Sequence, residues 1–286
     1  MALRDQYYPG IAELIEAAEE EYESGADVER RKVIPPPDKI PQRNNKWLKI
    51  ENVISVFVDM KGSTELSAAK KDKSTAEIYQ FFTNTMVRIL SKFGASYIDV
   101  KGDGVFGLFN PSMPHTAFSA AVTCKTFCAK EFSKRVKTKR DVSLSCHIGI
   151  DQKTVLVKRV GIEPRGGDDS HLRNEVWAGK PVNMSAKLAA EADGGQVMVS
   201  DRFYRKLTND HAKYSCDCGE GGRTLLWEEV DVEGNEKFDF RKAFLLCSNW
   251  CEKHGREYCS DLVRQEKDDI REAVESSAAD SFLLGK

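Results

Sequence analysis

Residues Lys101 to Phe109 read KGDGVFGLF. Gly102, Gly104 and Gly107 match the dinucleotide fingerprint G-x-G-x-x-G letter for letter. That fingerprint holds a pyrophosphate only where a strand ends and a helix begins, because the anion sits on the helix N-terminus. Here Val105, Phe106, Leu108 and Phe109 follow, an apolar aromatic run with the character of a strand. Ser96 to Val100, just before, has the same character. Strand, Gly-Asp-Gly, strand predicts a tight hairpin and removes the Rossmann reading. It leaves Asp103 at the tip of a hairpin whose flanking strands are buried.

Away from the hairpin the pattern stays mixed. Val53–Val58 (VISVFV) is almost wholly apolar, the mark of a strand buried on both faces. Ser74–Phe93 puts Ile78, Phe82, Met86, Ile89 and Phe93 on one helical face. His115–Val136 reads as a second helix, and Val142–Ile150 and Thr154–Val160 as strands. Glu163–Arg173 reads as a polar Gly-rich loop. Pro181–Ala192 reads as a helix with proline in its first turn. Gln196–Val199 is a further strand, Asp201–Leu207 a short helix, and residues 210–250 hold two or three more strands. Hairpins mixed with helices imply an α+β sheet covered by helices. Residues 1–45 read as an appendage, an acidic amphipathic helix (Ile11–Ser24) leading into Val33–Pro41, a Pro-rich connector that is extended and not helical. The main domain spans 46–250, and 251–286 is a charged helical tail, exposed or at an interface.

Composition narrows the function classes. The 286 residues are 41% hydrophobic and 31% charged, ordinary for a globular protein. A formal charge of −2 argues against a dedicated nucleic-acid binder. No apolar run approaches the ~20 residues of a membrane span. The N-terminus lacks an export pattern, so a cytoplasmic location is expected and the eight cysteines are expected as thiols. Cys124 and Cys128, one helical turn apart, read as core residues. Cys216 and Cys218, with Cys247, Cys251 and His254, offer zinc a ligand set. Their spacing fits no standard C-x-x-C pair, and the sequence leaves metal binding there open.

The first buried strand ends in Asp59, followed by Met60, Lys61, Gly62, Ser63 and Thr64. Gly62 permits a sharp turn, and Ser63 or Thr64 can cap a helix starting there. Free N–H groups at such a turn form an anion site. If the first strand lies beside the hairpin, Asp59 and Asp103 point to one spot. Two carboxylates beside a phosphate cradle need a counter-charge, and Mg²⁺ binds carboxylates and phosphates together. Two such ions can clamp an in-line displacement at phosphorus. Taken singly, an Asp in a Gly-Asp-Gly turn is most often a turn residue, and an Asp at a strand end most often a helix cap.

Four stretches carry a resemblance. FVDMKGSTELS (Phe57–Ser67), KGDGVFGLF (Lys101–Phe109), HIGID (His147–Asp151) and VWAGKPVNMSAKLAAEADGGQVMVS (Val176–Ser200) resemble the successive motifs of class III nucleotide cyclases, in that family's order. The likeness covers roughly residues 50 to 205. The last stretch is especially similar to the bacterial pyrimidine cyclases of anti-phage defence, sometimes called Pycsar cyclases. The resemblance implies the ferredoxin-like sheet of that family. It implies that Asp59 and Asp103 bind two Mg²⁺ or Mn²⁺ ions, with the Met60 carbonyl as a further ligand and Gly62, Ser63 and Thr64 at the substrate phosphates. Asn183 matches the asparagine that orients the ribose. Lys187 stands where the family usually has a transition-state arginine, and lysine keeps the charge without the planar fork. The implied reaction is attack of the ribose 3′-oxygen on the α-phosphorus, giving a cyclic nucleotide and pyrophosphate. With one set of motifs, the chain is expected to form a homodimer with composite sites. A separate effector sensing the cyclic nucleotide is implied as partner.

In adenylate cyclases a lysine four residues before the second metal aspartate and an aspartate before the Trp-Gly turn read adenine. Those positions here are Asp99 and, less securely because of one extra residue, Glu175. Ionised carboxylates accept hydrogen bonds and cannot donate. Adenine N1 needs a donor, so ATP fits poorly, and cytosine N3 would face an unwanted acceptor. UTP and GTP lead on this ground, and the resemblance favours UTP, with CTP next. The alternatives are that Asp99 merely pairs with a nearby cation, that the domain is an inactive nucleotide-binding or dimerisation module, and that it is a polymerase-palm or diguanylate-cyclase enzyme. The absence of a Gly-Gly-Asp/Glu-Glu-Phe signature argues against the diguanylate version. Arg241 and Lys242 are candidates for the triphosphate tail.

Overall fold

Two long strands organise the chain, β2 (Lys46–Lys61) and β5 (Ser145–Gly161), seen in a computed structural model. It describes residues 8, 10–42, 45–64, 66, 72–161, 173–218 and 222–283. The two strands pair antiparallel from Leu48 opposite Val157 to Lys61 opposite Ser145. The register shifts between Ile50 and Val53, where Asn52 takes φ 57°. Such a bulge bends and twists a strand locally, so the two halves of β2 and β5 can serve different neighbours. The near half of β5 pairs with β7 (Gln196–Ser200) and the far half with β6 (Arg173–Gly179).

The full sheet runs β3 (Tyr97–Lys101), β4 (Gly104–Phe109), β2, β5, β7, β9 (Lys242–Leu246), β8 (Trp227–Asp231). β1 (Asp27–Arg31), which follows the N-terminal helix α1 (Ile11–Glu23), adds in parallel to β2. On one face lie α2 (Asp72–Lys92) and α3 (Pro114–Phe127). α2 buries Ile78, Phe82, Met86 and Leu90 at helical spacing against Ile54, Val56, Val58 and Met60 of β2. Each such side chain stabilises by about 1.5–3 kcal/mol. α3 is buried nearly all round and continues through a π-helical turn (Cys128–Phe132) into α4 (Ser133–Arg140). On the opposite face lies α5 (Lys180–Glu191). Gly149 of β5 lets it approach: a Cβ there would meet Ser185 O at 1.9 Å. Strand alternation then puts Ser55, Phe57 and Asp59 of β2, and His147, Gly149 and Asp151 of β5, on the α5 face. The Ser55 and Ser185 hydroxyls bond across it at 2.8 Å.

The sheet is α+β, as the hairpin pattern predicts. The two strands expected at Val142–Ile150 and Thr154–Val160 are one strand that begins at Ser145, because Gln152 and Lys153 keep the ladder to β2. β6 begins at the last residue of the stretch read as a loop, and residues 163–172 of that stretch lie outside the described residues. The Pro-rich connector holds a short 3₁₀ turn (Pro37–Lys39), yet Ile34 and Ile40 are buried against Leu48, Ile50 and Leu108. The C-terminal helix, labelled α8 after two short helices α6 (Asp201–Tyr204) and α7 (Asp210–Lys213), spans Gly255–Leu283. It docks on α3: Leu262 is buried, and the Glu266 carboxylate accepts the backbone N–H groups of His115 (2.7 Å) and Thr116 (2.9 Å). A carboxylate thus caps the helix end where the dipole is positive. Cys124 and Cys128 are core thiols. Among the described residues, no helix is long and apolar enough to cross a membrane.

Candidate active site

The β3–β4 hairpin closes in two residues, Gly102 and Asp103, with Lys101 opposite Gly104. Gly102 takes φ 65°, which glycine adopts without strain. β4 lies against β2 with Val105 opposite Val58, so the turn comes alongside Asp59. A Cβ on Gly104 would sit 2.6 Å from Phe57 Cζ and 3.2 Å from Asp59 Oδ1. Glycine is therefore required there for the hairpin to rest on the strand. Asp103 is half-buried.

Asp59 has a partner that the sequence reading quoted without assigning it a role. His147, directly opposite on β5, brings Nε2 to 3.2 Å from Asp59 Oδ2. Its Nδ1 faces the Ala192 carbonyl, also at 3.2 Å. The ring is buried, so it fixes one carboxylate oxygen and leaves Oδ1 toward the hairpin. Met60 buries its side chain in the core on the other face; only its carbonyl can serve the Asp59 side. Gly62 follows at φ 94°, and Ser63, Thr64 and Leu66 are helical. Carboxylates and a carbonyl are oxygen donors only, the set that suits a hard divalent cation.

The second group lies further along the same face. Tyr97 packs at a tilt against Trp177 and Phe106, with ring centroids 4.8 Å and 6.0 Å away. Burial pushes the Tyr97 phenol up to about 12, and the carboxylates of Asp99 and Glu175 add to the effect. The protonated hydroxyl donates to Glu175 Oε2 at 3.4 Å. The structure thus brings Asp99 and Glu175 to one aromatic cluster. Each also has a cation. Lys101 pairs with Asp99 at 2.8 Å. Arg159 donates to Glu175 Oε1 from Nε (3.0 Å) and a terminal nitrogen (2.8 Å), and to the Pro37 carbonyl at 2.6 Å.

Asn183 and Lys187 both lie on α5, Asn183 exposed. Lys187 Nζ donates to the Lys237 carbonyl at 2.9 Å. Arg241 and Lys242 form ion pairs with Glu233 and Glu229 on the sheet's far edge. Asp151, from the HIGID stretch, is fully buried in a two-pronged pair with Arg202 (2.7 and 2.6 Å). Arg202 also meets Asp239 at 3.0 Å, where Lys153 (2.6 Å) and Lys180 (2.9 Å) converge. Burial would raise the Asp239 carboxyl, but these three cations hold it far below the usual range.

Residues 46–237 match the adenylate and guanylate cyclase catalytic domain. The chain belongs to the class III nucleotide cyclases. This cyclase is 38% identical over 237 residues to a uridylate cyclase of Propioniciclava tarda, covering 81% of the chain and 75% of the relative. It is 33% identical over 233 residues to a uridylate cyclase of Micromonospora echinofusca, covering 80% and 74%. Its fold resembles that of the adenylyl cyclase CyaB from P. aeruginosa, at TM-score 0.53 and 17% identity over 71% of this chain and 96% of that one. The guanylyl cyclase Cya2 matches at TM-score 0.52 and 17% identity, over 68% and 90%. Class III cyclases act on nucleoside triphosphates and use divalent metal ions. The oxygen-donor set at Asp59, Asp103 and Met60 fits that requirement.

Proposed function

We propose that this cyclase converts UTP to 3′,5′-cyclic UMP and pyrophosphate in a homodimer whose two active sites are each shared between protomers. One observation carries the shared site. His147, the partner of Asp59, reaches the C-terminal end of α5 at Ala192. Asn183 lies nine residues earlier, about 13 Å away along the helix at 1.5 Å per residue. Asp99 and Asp103, four residues apart in an extended hairpin, are separated by a similar distance. Asp59 and Asp103 thus form one half-site, and Asn183 with the Tyr97 cluster another. A ribose is too small to touch both. A two-fold axis lays one half-site of each protomer on the complementary half of its partner.

In such a site Asn183 orients the ribose, the Lys187 ammonium meets charge developing on the α-phosphate, and the turn at Gly62–Thr64 receives phosphate oxygens. Two Mg²⁺ or Mn²⁺ ions, when bound by Asp59, Asp103 and the Met60 carbonyl, lower the pKa of the 3′-hydroxyl and hold the triphosphate. His147 keeps Asp59 aimed at the hairpin. The choice of UTP is supported by the two relatives named uridylate cyclases; Asp99 and Glu175 suit the uracil N3–H where they release or share the Lys101 and Arg159 cations that hold them. A place in anti-phage defence, with a separate effector reading the cyclic nucleotide, rests on the likeness of residues 176–200 to the Pycsar cyclases. The test is incubation of the pure protein with Mn²⁺ and each of the four nucleoside triphosphates, with products identified by mass. Cyclic UMP from UTP alone is the expected result. Turnover of another nucleotide in preference to UTP overturns the base assignment, and no product from any of the four leaves a nucleotide-binding module.

A further inference from the structure

Far from the catalytic face, two segments remote in sequence bring four soft ligands together. Cys216 and Cys218 follow a β-bridge between Tyr214 and Leu225. Cys251 and His254 stand just before α8, with Cys218 and Cys251 thirty-three residues apart. The Sγ atoms of Cys216 and Cys218 lie 3.1 Å apart, those of Cys218 and Cys251 3.4 Å, and Cys251 Sγ lies 4.0 Å from His254 Nδ1. All four ligand atoms fall within 4.8 Å of one another. A disulfide needs sulfurs about 2 Å apart. A tetrahedral zinc with Zn–S ≈ 2.3 Å and Zn–N ≈ 2.0–2.1 Å spaces its ligands about 3.6–3.8 Å apart, close to what is seen.

We propose that Cys216, Cys218, Cys251 and His254 form a structural Zn²⁺ site that fastens the C-terminal helix to the catalytic domain. Three thiolates and an imidazole in tetrahedral reach select zinc over the oxygen-preferring ions of the catalytic face. Cys247, the fifth member of the sequence-level set, is exposed and stands outside the cluster. Beyond the site, Tyr258 stacks on His211 at 3.8 Å, and Leu262 and Glu266 engage α3. The metal would fix the start of the helix that these contacts hold further along.

The test is elemental analysis of the full chain purified without chelator. We expect about one zinc per chain, retained in a protein carrying Asp59→Ala and Asp103→Ala, which separates it from catalytic metals. Expression with Co²⁺ in place of zinc should give the intense visible absorption of tetrahedral thiolate-bound cobalt. Cys251→Ser should lose most of the bound zinc and melt at lower temperature, and Cys247→Ser should keep both properties. A folded wild-type protein free of zinc overturns the proposal. So does a thiol count two short of the eight cysteines, with a mass two hydrogens lower, because that marks a disulfide. Zinc bound equally by the Cys251→Ser protein overturns it too. The wild-type metal content and cobalt spectrum decide the matter even if a variant fails to fold.

Discussion

Asp59→Ala and Asn183→Ala, made in separate chains and then mixed, test the division of the active site between protomers. Each change removes a group from one half-site and leaves the other intact. Asp59 sits at a strand end beside a hairpin turn, and Asn183 on an exposed helix face, so both variants should fold, with circular dichroism as the check. Alone, each should lose about 10²-fold or more in turnover, the loss typical of removing one positioned transition-state group. Equal mixing with free exchange gives half of all dimers as hybrids. In each hybrid one site collects both defects and the other collects neither. Half the dimers with one of two sites working gives about one quarter of wild-type activity per chain. A site built within one chain gives no recovery, because every chain carries a defect. The proposed shared arrangement rests on the roughly 13 Å between the ends of the relevant α5 segment. The assay is cyclic nucleotide formation after subunit exchange, with exchange followed by native mass spectrometry. Hybrid dimers in the expected proportion, with activity still at the level of the parents, would refute the reasoning.

Three further outcomes follow from the packing. Gly149→Ala places a methyl 1.9 Å from Ser185 O and 2.6 Å from Ala189 N; α5 must lift, costing about 3 kcal/mol or more, which a thermal melt should show as a fall of roughly 6–12 °C. Glu266→Ala leaves the buried N–H groups of His115 and Thr116 without their charged acceptor, a loss of about 3 kcal/mol, and Glu266→Gln should recover part of it because one amide oxygen still accepts. Asp239→Asn should cost about 1–2 kcal/mol at neutral pH. Because the folded-state pKa is depressed, that stabilisation exists above the unfolded value near 3.9. It fades as pH falls below it, so denaturant midpoints of wild type and variant should converge below about pH 4; a gap that stays constant with pH would contradict the cation cluster as its source.

The hairpin was legible because glycine has few uses between two apolar runs, and a strand-turn-strand reading followed directly from Gly102, Gly104 and the aromatic residues after them. The helices α2 and α5 were legible from apolar spacing and from proline in the first turn of α5. Strand limits were harder. β2 begins seven residues before the apolar run Val53–Val58, because Lys46 to Ile50 pair with β1 and Leu48 to Ile50 with β5, while Lys46, Lys49 and Glu51 interrupt the apolar run. β6, with the sequence RNEVWAG, has too few apolar residues to stand out, and its place is set by the ladder to β5. His147 was invisible as a functional residue, since a histidine in a strand says nothing of what stands opposite until the register is known. Tyr97 and Arg159 were missed for the same reason, as their partners lie on other strands. The thiol cluster was legible in part: four of its members were named, but only the fold separates Cys247 from Cys216, Cys218 and Cys251.

The HIGID stretch and the cation on α5 are linked through a loop. Asp151 is fully buried, and Arg202 answers it with two hydrogen bonds. Breaking such a pair costs about 3–5 kcal/mol because the remaining charge has no solvent, so Arg202 is held in place. Its guanidinium also meets Asp239, which Lys153 and Lys180 grip from the other side. Asp239 lies two residues from Lys237, whose carbonyl accepts the Lys187 ammonium and whose own side chain pairs with Glu191. The position of this loop therefore sets where Lys187 points. An arginine carries five donors in a rigid fork and can hold a carbonyl while reaching a phosphate. A lysine presents three donors from a single nitrogen and covers less ground. With lysine at this position, the loop must supply the aim that a guanidinium would carry in its own shape. In the proposed site, the buried charge at Asp151 thus bears on where Lys187 is aimed without touching the substrate.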